Sequence, residues 1–190
     1  MQMTTVEGSI DNAWKHGKTT NIHHLVFMAD SLLIFDVLDK REIRKEVYQY
    51  LRSDPLTLAP VPAVENYGLY RDSKQIHKQI IDLAIEAGNQ IEKNIDAEIS
   101  KVPPDFKRME YAEVKSMILR QGKHLGLPSL TISAANGDTE YKLMHNNYEK
   151  LARLDEDTFR KYADLLTKVM GERTTANMII EAIHTFAKAE

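Results

Sequence analysis

From Arg71 to Lys101 no proline interrupts the chain, and apolar residues recur at three- and four-residue steps. Ile76, Ile80, Leu83, Ala84, Ala87, Ile91 and Ile95 form one stripe, and Ile81, Ile85 and Ile99 an adjoining strip. This periodicity predicts one helix over 71–101, roughly 45 Å long at 1.5 Å per residue. So wide an apolar arc predicts burial on two sides, by neighbouring helices or by another subunit. Pro103-Pro104 ends the run, because proline lacks the N–H that a helix needs. A helix of that length constrains the rest of the chain to pack around it.

Caps and spacing divide the remainder in the same way. Thr4-Thr5-Val6-Glu7 has the form of a capping box, followed by Val6, Ile10, Ala13 and Trp14 and stopped by Gly17. Asn21 caps a second helix through Leu38, apolar on most sides and therefore central. Asp39 with Glu42 opens a third, lined by Ile43, Val47, Tyr50 and Leu51. A fifth, over 105–124, carries Tyr111, Val114, Met117 and Ile118. Asp155 caps a helix bearing Phe159, Tyr162, Leu165, Leu166 and Val169, with Gly171 as its stop. Thr174 or Thr175 starts a last one through Met178, Ile179, Ala182, Ile183 and Phe186.

Two stretches depart from this pattern. Pro55, Pro60, Pro62 and Gly68 make 54–70 an extended connector. Its apolar Leu56, Leu58, Val61 and Val64 are suited to a groove on the same chain or a neighbouring one. Around 130–143, Asn136-Gly137 signals a hairpin turn. The competing reading starts a helix at Asp138 and alone accounts for Met144, Tyr148 and Leu151, so it is preferred. The expected fold is all-α, with seven or eight helices in a multi-helix bundle around 71–101. It forms one domain over 1–190, divisible into an N-terminal lobe (1–53), the connector and a C-terminal bundle (71–190).

Composition narrows the chemistry. The 190 residues include no cysteine, which removes disulfides, thiol nucleophiles and Cys-based metal sites. The formal net charge of −3 does not supply the basic excess that drives non-specific nucleic-acid binding. Met1 to Gly17 lacks a signal-peptide pattern, and the most apolar run, Leu25 to Leu38, is cut by Asp30, Ser31 and Asp36. The expectation is a soluble cytoplasmic protein without a membrane span.

No nucleophile elbow, phosphate-binding loop, His-Glu-x-x-His or dinucleotide fingerprint is present. Glu181 and His184 form a single Glu-x-x-His, the half-motif of carboxylate-bridged metal sites. No second copy accompanies it, which leaves a metal-dependent enzyme as a distant alternative. His23-His24 begins the second predicted helix, where neighbours point about 100° apart and cannot share an ion. One ring is then expected inside and the other in water. No catalytic residue and no cofactor are assigned.

Surfaces remain. Arg41, Lys45, Tyr48 and Arg52 fall on one stripe of the third helix with Arg44 alongside, and Lys107, Arg108, Lys115, Arg120 and Lys123 make a second basic cluster. Arginines with an aromatic on one face can grip phosphates and stack a base. Ile81, Ile85 and Ile99, with the apolar connector, suggest more hydrophobic surface than one small bundle needs. The sequence thus points first to a non-enzymatic, self-associating assembly or adaptor protein, and second to a nucleic-acid binder.

Overall fold

Strands occupy most of the segments that the sequence pattern assigns to helices. The computed structural model describes residues 5–15, 21–39, 41–46, 73–122, 127–143 and 154–177. Among them are eight strands: β1 (Val6–Lys15), β2 (Asn21–Met28), β3 (Ser31–Leu38), β4 (Phe106–Glu110), β5 (Val114–Arg120), β6 (Ser129–Ala134), β7 (Gly137–Leu143) and β8 (Thr174–Asn177). Four helices accompany them: α1 (41–46), α2 (Ser73–Lys93), α3 (Ile95–Ile99) and α4 (Glu156–Met170). The strands form one mixed sheet in the order β4-β3-β2-β1-β7-β6-β5-β8. The expected all-α multi-helix bundle is therefore incorrect.

The reasons are physical. β2 and β3 are covered on both faces. Leu25 and Phe27 of β2, with Leu32 and Ile34 of β3, join a core shared with β5, β6, β7 and α4. Ile22, Val26 and Met28, with Leu33 and Phe35, face the other way, under α1, α2 and α3. A strand buried on both sides loses its two-residue alternation and reads as a continuous apolar run, which mimics a central helix.

β1 and β5 mislead differently. Each carries a register shift, between Ile10 and Ala13 in β1 and between Val114 and Ser116 in β5. The extra residue of a bulge turns a spacing of two into three. Ile10 and Ala13 thus share the inner core, as do Val114 and Met117, at the i, i+3 interval of a helix. The hairpin reading of 130–143 is the one realised. β6 and β7 pair from Ser129↔Lys142 to Ala134↔Gly137, and Gly137 takes φ +118°, which favours glycine.

Local helix signals hold where a helix forms. Asp39 Oδ1 accepts from the N–H groups of Arg41 and Glu42, while Glu42 Oε2 accepts from Asp39 N–H, a reciprocal cap on α1. Asp155 Oδ1 accepts from Thr158 N–H at the start of α4, and Gly171 ends it at φ +58°. Phe159, Tyr162, Leu165, Leu166 and Met170 of α4 are buried in the shared core. Each fully buried side chain of this size contributes about 1.5–3 kcal/mol.

The single helix expected over 71–101 is instead two, α2 and α3, separated at Asn94. The two ends of this stretch pack on different apolar clusters. Ile80, Ile81 and Ala84 meet Trp14 and Ile22, whereas Ile91, Ile95 and Ile99 meet Val26, Met28, Leu33 and Phe35. Between those clusters lies a polar seam. Among the described residues no helix is long and apolar enough to cross a membrane.

Candidate metal centre

The seam is assembled by three elements. On β2, side chains alternate between faces, so His24 falls between Ile22 and Val26 on the α2 side while His23 falls on the other. Both rings are buried. The helix-based expectation of one buried and one solvated histidine gives way to two buried histidines on opposite faces. On β1, Ile10 pairs with Leu25 and Ala13 with His23, so Asp11 and Asn12 are both set against His24. Asn12 is the one described non-glycine residue with positive φ, at +52°. On α2, Glu92 reaches in from the last turn, and Gly88 one turn earlier allows close approach. A Cβ at residue 88 would stand 2.6 Å from His24 Nδ1 and 2.9 Å from Asp11 Oδ1.

The result is an imidazole between two carboxylates. Asp11 Oδ1 lies 2.7 Å from His24 Nδ1, and Glu92 Oε1 lies 3.1 Å from Nε2. One ligand atom from each of the three residues can be chosen with all within 4.8 Å of one another. The side-chain exposures are 1% for His24, 34% for Asp11 and 39% for Glu92. Both ring nitrogens and Asp11 Oδ1 are thus enclosed, while other parts of the Asp11 and Glu92 side chains reach solvent. Although both contacts are within ion-pair distance, neither has hydrogen-bond geometry, and both ring nitrogens lack a hydrogen-bond partner. A buried imidazole without directed hydrogen bonds is costly.

His23 makes a separate pair on the opposite face. Its Nδ1 is 2.6 Å from Asp36 Oδ1, and its ring meets Tyr141 edge-on at 5.4 Å. Burial holds its pKa below the ordinary histidine value, against the opposing pull of the Asp36 carboxylate. Tyr162 in the shared core is pushed up by burial, with the Asp11 and Asp155 carboxylates adding to it.

The residues singled out from sequence are dispersed. Arg41, Arg44 and Lys45 are exposed on α1, and Tyr48 and Arg52 lie outside the described residues. The helix expected over 105–124 is instead β4, a single turn and β5. Lys107 and Arg108 therefore sit on one strand and Lys115 and Arg120 on another, without pairing between them; Lys123 is outside the described residues. Arg108 is engaged by Asp30 and Glu110, and Arg120 donates to Thr131 Oγ1. Of the proposed contact surface, Ile81 is fully buried and Ile85 and Ile99 are packed against the core clusters. Leu56, Leu58, Val61, Val64, Glu181 and His184 lie outside the described residues.

Sequence reasoning passed over Asp11, His24 and Glu92 as a set. One signal was available: Gly88 interrupts a stripe otherwise rich in isoleucine and alanine, and an isolated glycine inside a helix marks a close approach. Comparison with protein-family models, curated proteins and solved structures finds no match.

Proposed function

We propose that the protein binds a divalent transition-metal ion through His24, Asp11 and Glu92. The observation that carries this reading is the buried His24 ring, flanked by two carboxylate oxygens that approach it without hydrogen-bond alignment. An imidazolium between carboxylates would aim its N–H groups at them. Ligands around an ion instead meet edge to edge, about 3 Å apart for bonds near 2.1 Å. An ion binds through one ring nitrogen, so the 2.7 Å contact between Asp11 Oδ1 and Nδ1 is such an edge. Glu92 Oε1 lies against Nε2 and belongs to the set because one ligand atom of each residue lies within 4.8 Å of the others.

One imidazole nitrogen and two carboxylate oxygens form a borderline donor set. Imidazole favours zinc, iron or cobalt over magnesium and calcium, and the carboxylates accept manganese as well. The two negative charges neutralise a divalent ion, which lessens the cost of holding charge in a partly buried seam. Three protein ligands leave at least one coordination position open. The ion would also tie α2 to β1 and β2 at the point where the two apolar clusters under the helix are separated.

An assembly role has weaker support. Val6 and Val102 are the large hydrophobic residues exposed among the described residues.

The test is calorimetric titration of the untagged, chelator-treated full chain with Zn2+ and with Mn2+. One equivalent should bind, and His24→Ala and Glu92→Gln should each abolish or weaken it. Glu92 is partly exposed, so its variant keeps the test valid if the His24 variant fails to fold. Binding that is unchanged in both variants, or absent from the wild-type chain, would sink the proposal.

A further inference from the structure

The position of Asp11 depends on its neighbour in the chain, Asn12. Ile10 and Ala13 both face the shared core although three positions separate them. An uninterrupted strand would place them on opposite faces. The register passes from Ile10↔Leu25 to Ala13↔His23, which leaves Asp11 and Asn12 against the single residue His24. Asn12 absorbs this mismatch with φ +52°. A non-glycine residue there is uncommon, and asparagine is among the few that tolerate it. Its side chain is only 4% exposed, and its Oδ1 has no hydrogen-bond partner. An unsatisfied buried amide oxygen is a cost that a smaller residue would avoid. What the position requires is the backbone conformation, and that strain sits beside the candidate site.

We propose that Asn12 is the positioning residue of the metal centre: its left-handed backbone creates the bulge that sets Asp11 against His24. This inference rests on the metal-binding reading. Without the bulge, β1 would keep its pairing with β2, and the residue opposite His24 would be fixed by the regular register. The bulge decouples the two requirements. Ile10 and Ala13 both stay in the core, and the chain between them carries a carboxylate to the histidine.

The experiment compares Zn2+ affinity of the untagged wild-type chain, Asn12→Gly and Asn12→Ala, with far-UV circular dichroism and urea unfolding alongside. Glycine adopts positive φ freely and alanine does not. Asn12→Gly should therefore bind within about threefold of wild type, and Asn12→Ala should lose at least about tenfold, as when a support of a metal ligand is removed. Equal affinity in wild type and Asn12→Ala would overturn the proposal. So would an equal loss in both variants, which would assign the effect to the amide itself. If Asn12→Ala does not fold, wild-type affinity in Asn12→Gly supports the proposal and its loss refutes it. A wild-type chain that binds no Zn2+ removes the metal reading and this inference together.

Discussion

Gly88 and His24 are in such close apposition that a single added carbon at position 88 would come within 2.6 Å of the imidazole Nδ1. The helix backbone and the strand side chain therefore define each other's positions. Alanine has a higher intrinsic helix propensity than glycine by about 1 kcal/mol, so Gly88→Ala would stabilise an isolated helix. Here the atom in the way is a ring nitrogen of a side chain only 1% exposed, which has nowhere to swing. Gly88→Ala should destabilise the protein by about 1–3 kcal/mol, the usual cost of overpacking, and weaken Zn2+ binding. Urea unfolding checks the first and calorimetry the second; a more stable Gly88→Ala would show that α2 is not seated on His24.

Ile81 belongs to the core between α2 and the sheet. Ile81→Glu should destabilise by more than about 4 kcal/mol, because it buries an unpaired charge. Ile85 is only partly buried, and Ile85→Glu should cost clearly less. Their urea midpoints give the comparison. Near-wild-type stability of Ile81→Glu would mean that this face of α2 is open.

The His23–Asp36 pair is asymmetric. Asp36 is half-exposed and His23 is buried. Both His23 ring nitrogens lack an aligned hydrogen-bond partner, so removal of the aspartate takes away the ion-pair contact of a buried imidazole, a loss of about 1–3 kcal/mol. Removal of the histidine leaves a carboxylate that water can solvate. Asp36→Ala should therefore be more destabilising than His23→Leu, and the reverse ranking by chemical denaturation would contradict this account of the pair.

Gly137 tests backbone strain alone. A Cβ there meets nothing within 4 Å, yet φ is +118°. Gly137→Ala should cost about 1–2 kcal/mol through conformation rather than collision. A thermal melt measures it, and no shift would indicate that the turn relaxes at little expense.

The Glu140–Lys142 contact gives a pH prediction. The hydrogen bond from Lys142, at 2.8 Å, is the main cause that holds the Glu140 carboxyl below its ordinary value. A lowered carboxylate pKa stabilises the fold above the ordinary carboxylate value, and that contribution is lost as pH falls through the lowered one. Lys142→Met should raise the Glu140 midpoint in a carboxyl-carbon NMR titration. Because the pair is solvated, stability at neutral pH should change by less than about 1 kcal/mol.

The sequence disclosed local chemistry well and pairing poorly. The Asp39–Glu42 cap, the Asp155 cap, the Gly171 stop and the apolar face of α4 are set by neighbouring residues, and all are present. Strand identity depends on what lies across the sheet. The run from Leu25 to Phe35 looks helical only when it is unknown that α2 covers one side and β5–β7 with α4 the other. The site was hidden for the same reason. In sequence His24 stands beside His23, whereas its neighbours in space are Asp11 across a strand pair and Glu92 on a helix. No spacing rule connects those three. Gly88 and the Asn12 bulge are the local marks of the site, and each is a single residue without a motif around it.

β8 pairs with β5 in parallel, from Met117↔Thr174 to Arg120↔Asn177. A parallel pair needs a crossover, and α4 supplies it. β5, β6 and β7 pair with their neighbours in sequence, but the outer edge of β5 has to wait for a distant segment to return. During synthesis, the outer edge of β5 is thus unpaired until α4 and Thr174–Asn177 have left the ribosome. An open edge of that kind can recruit strands from other chains. Closing that edge is a demand on the order of folding, quite separate from what the finished molecule binds.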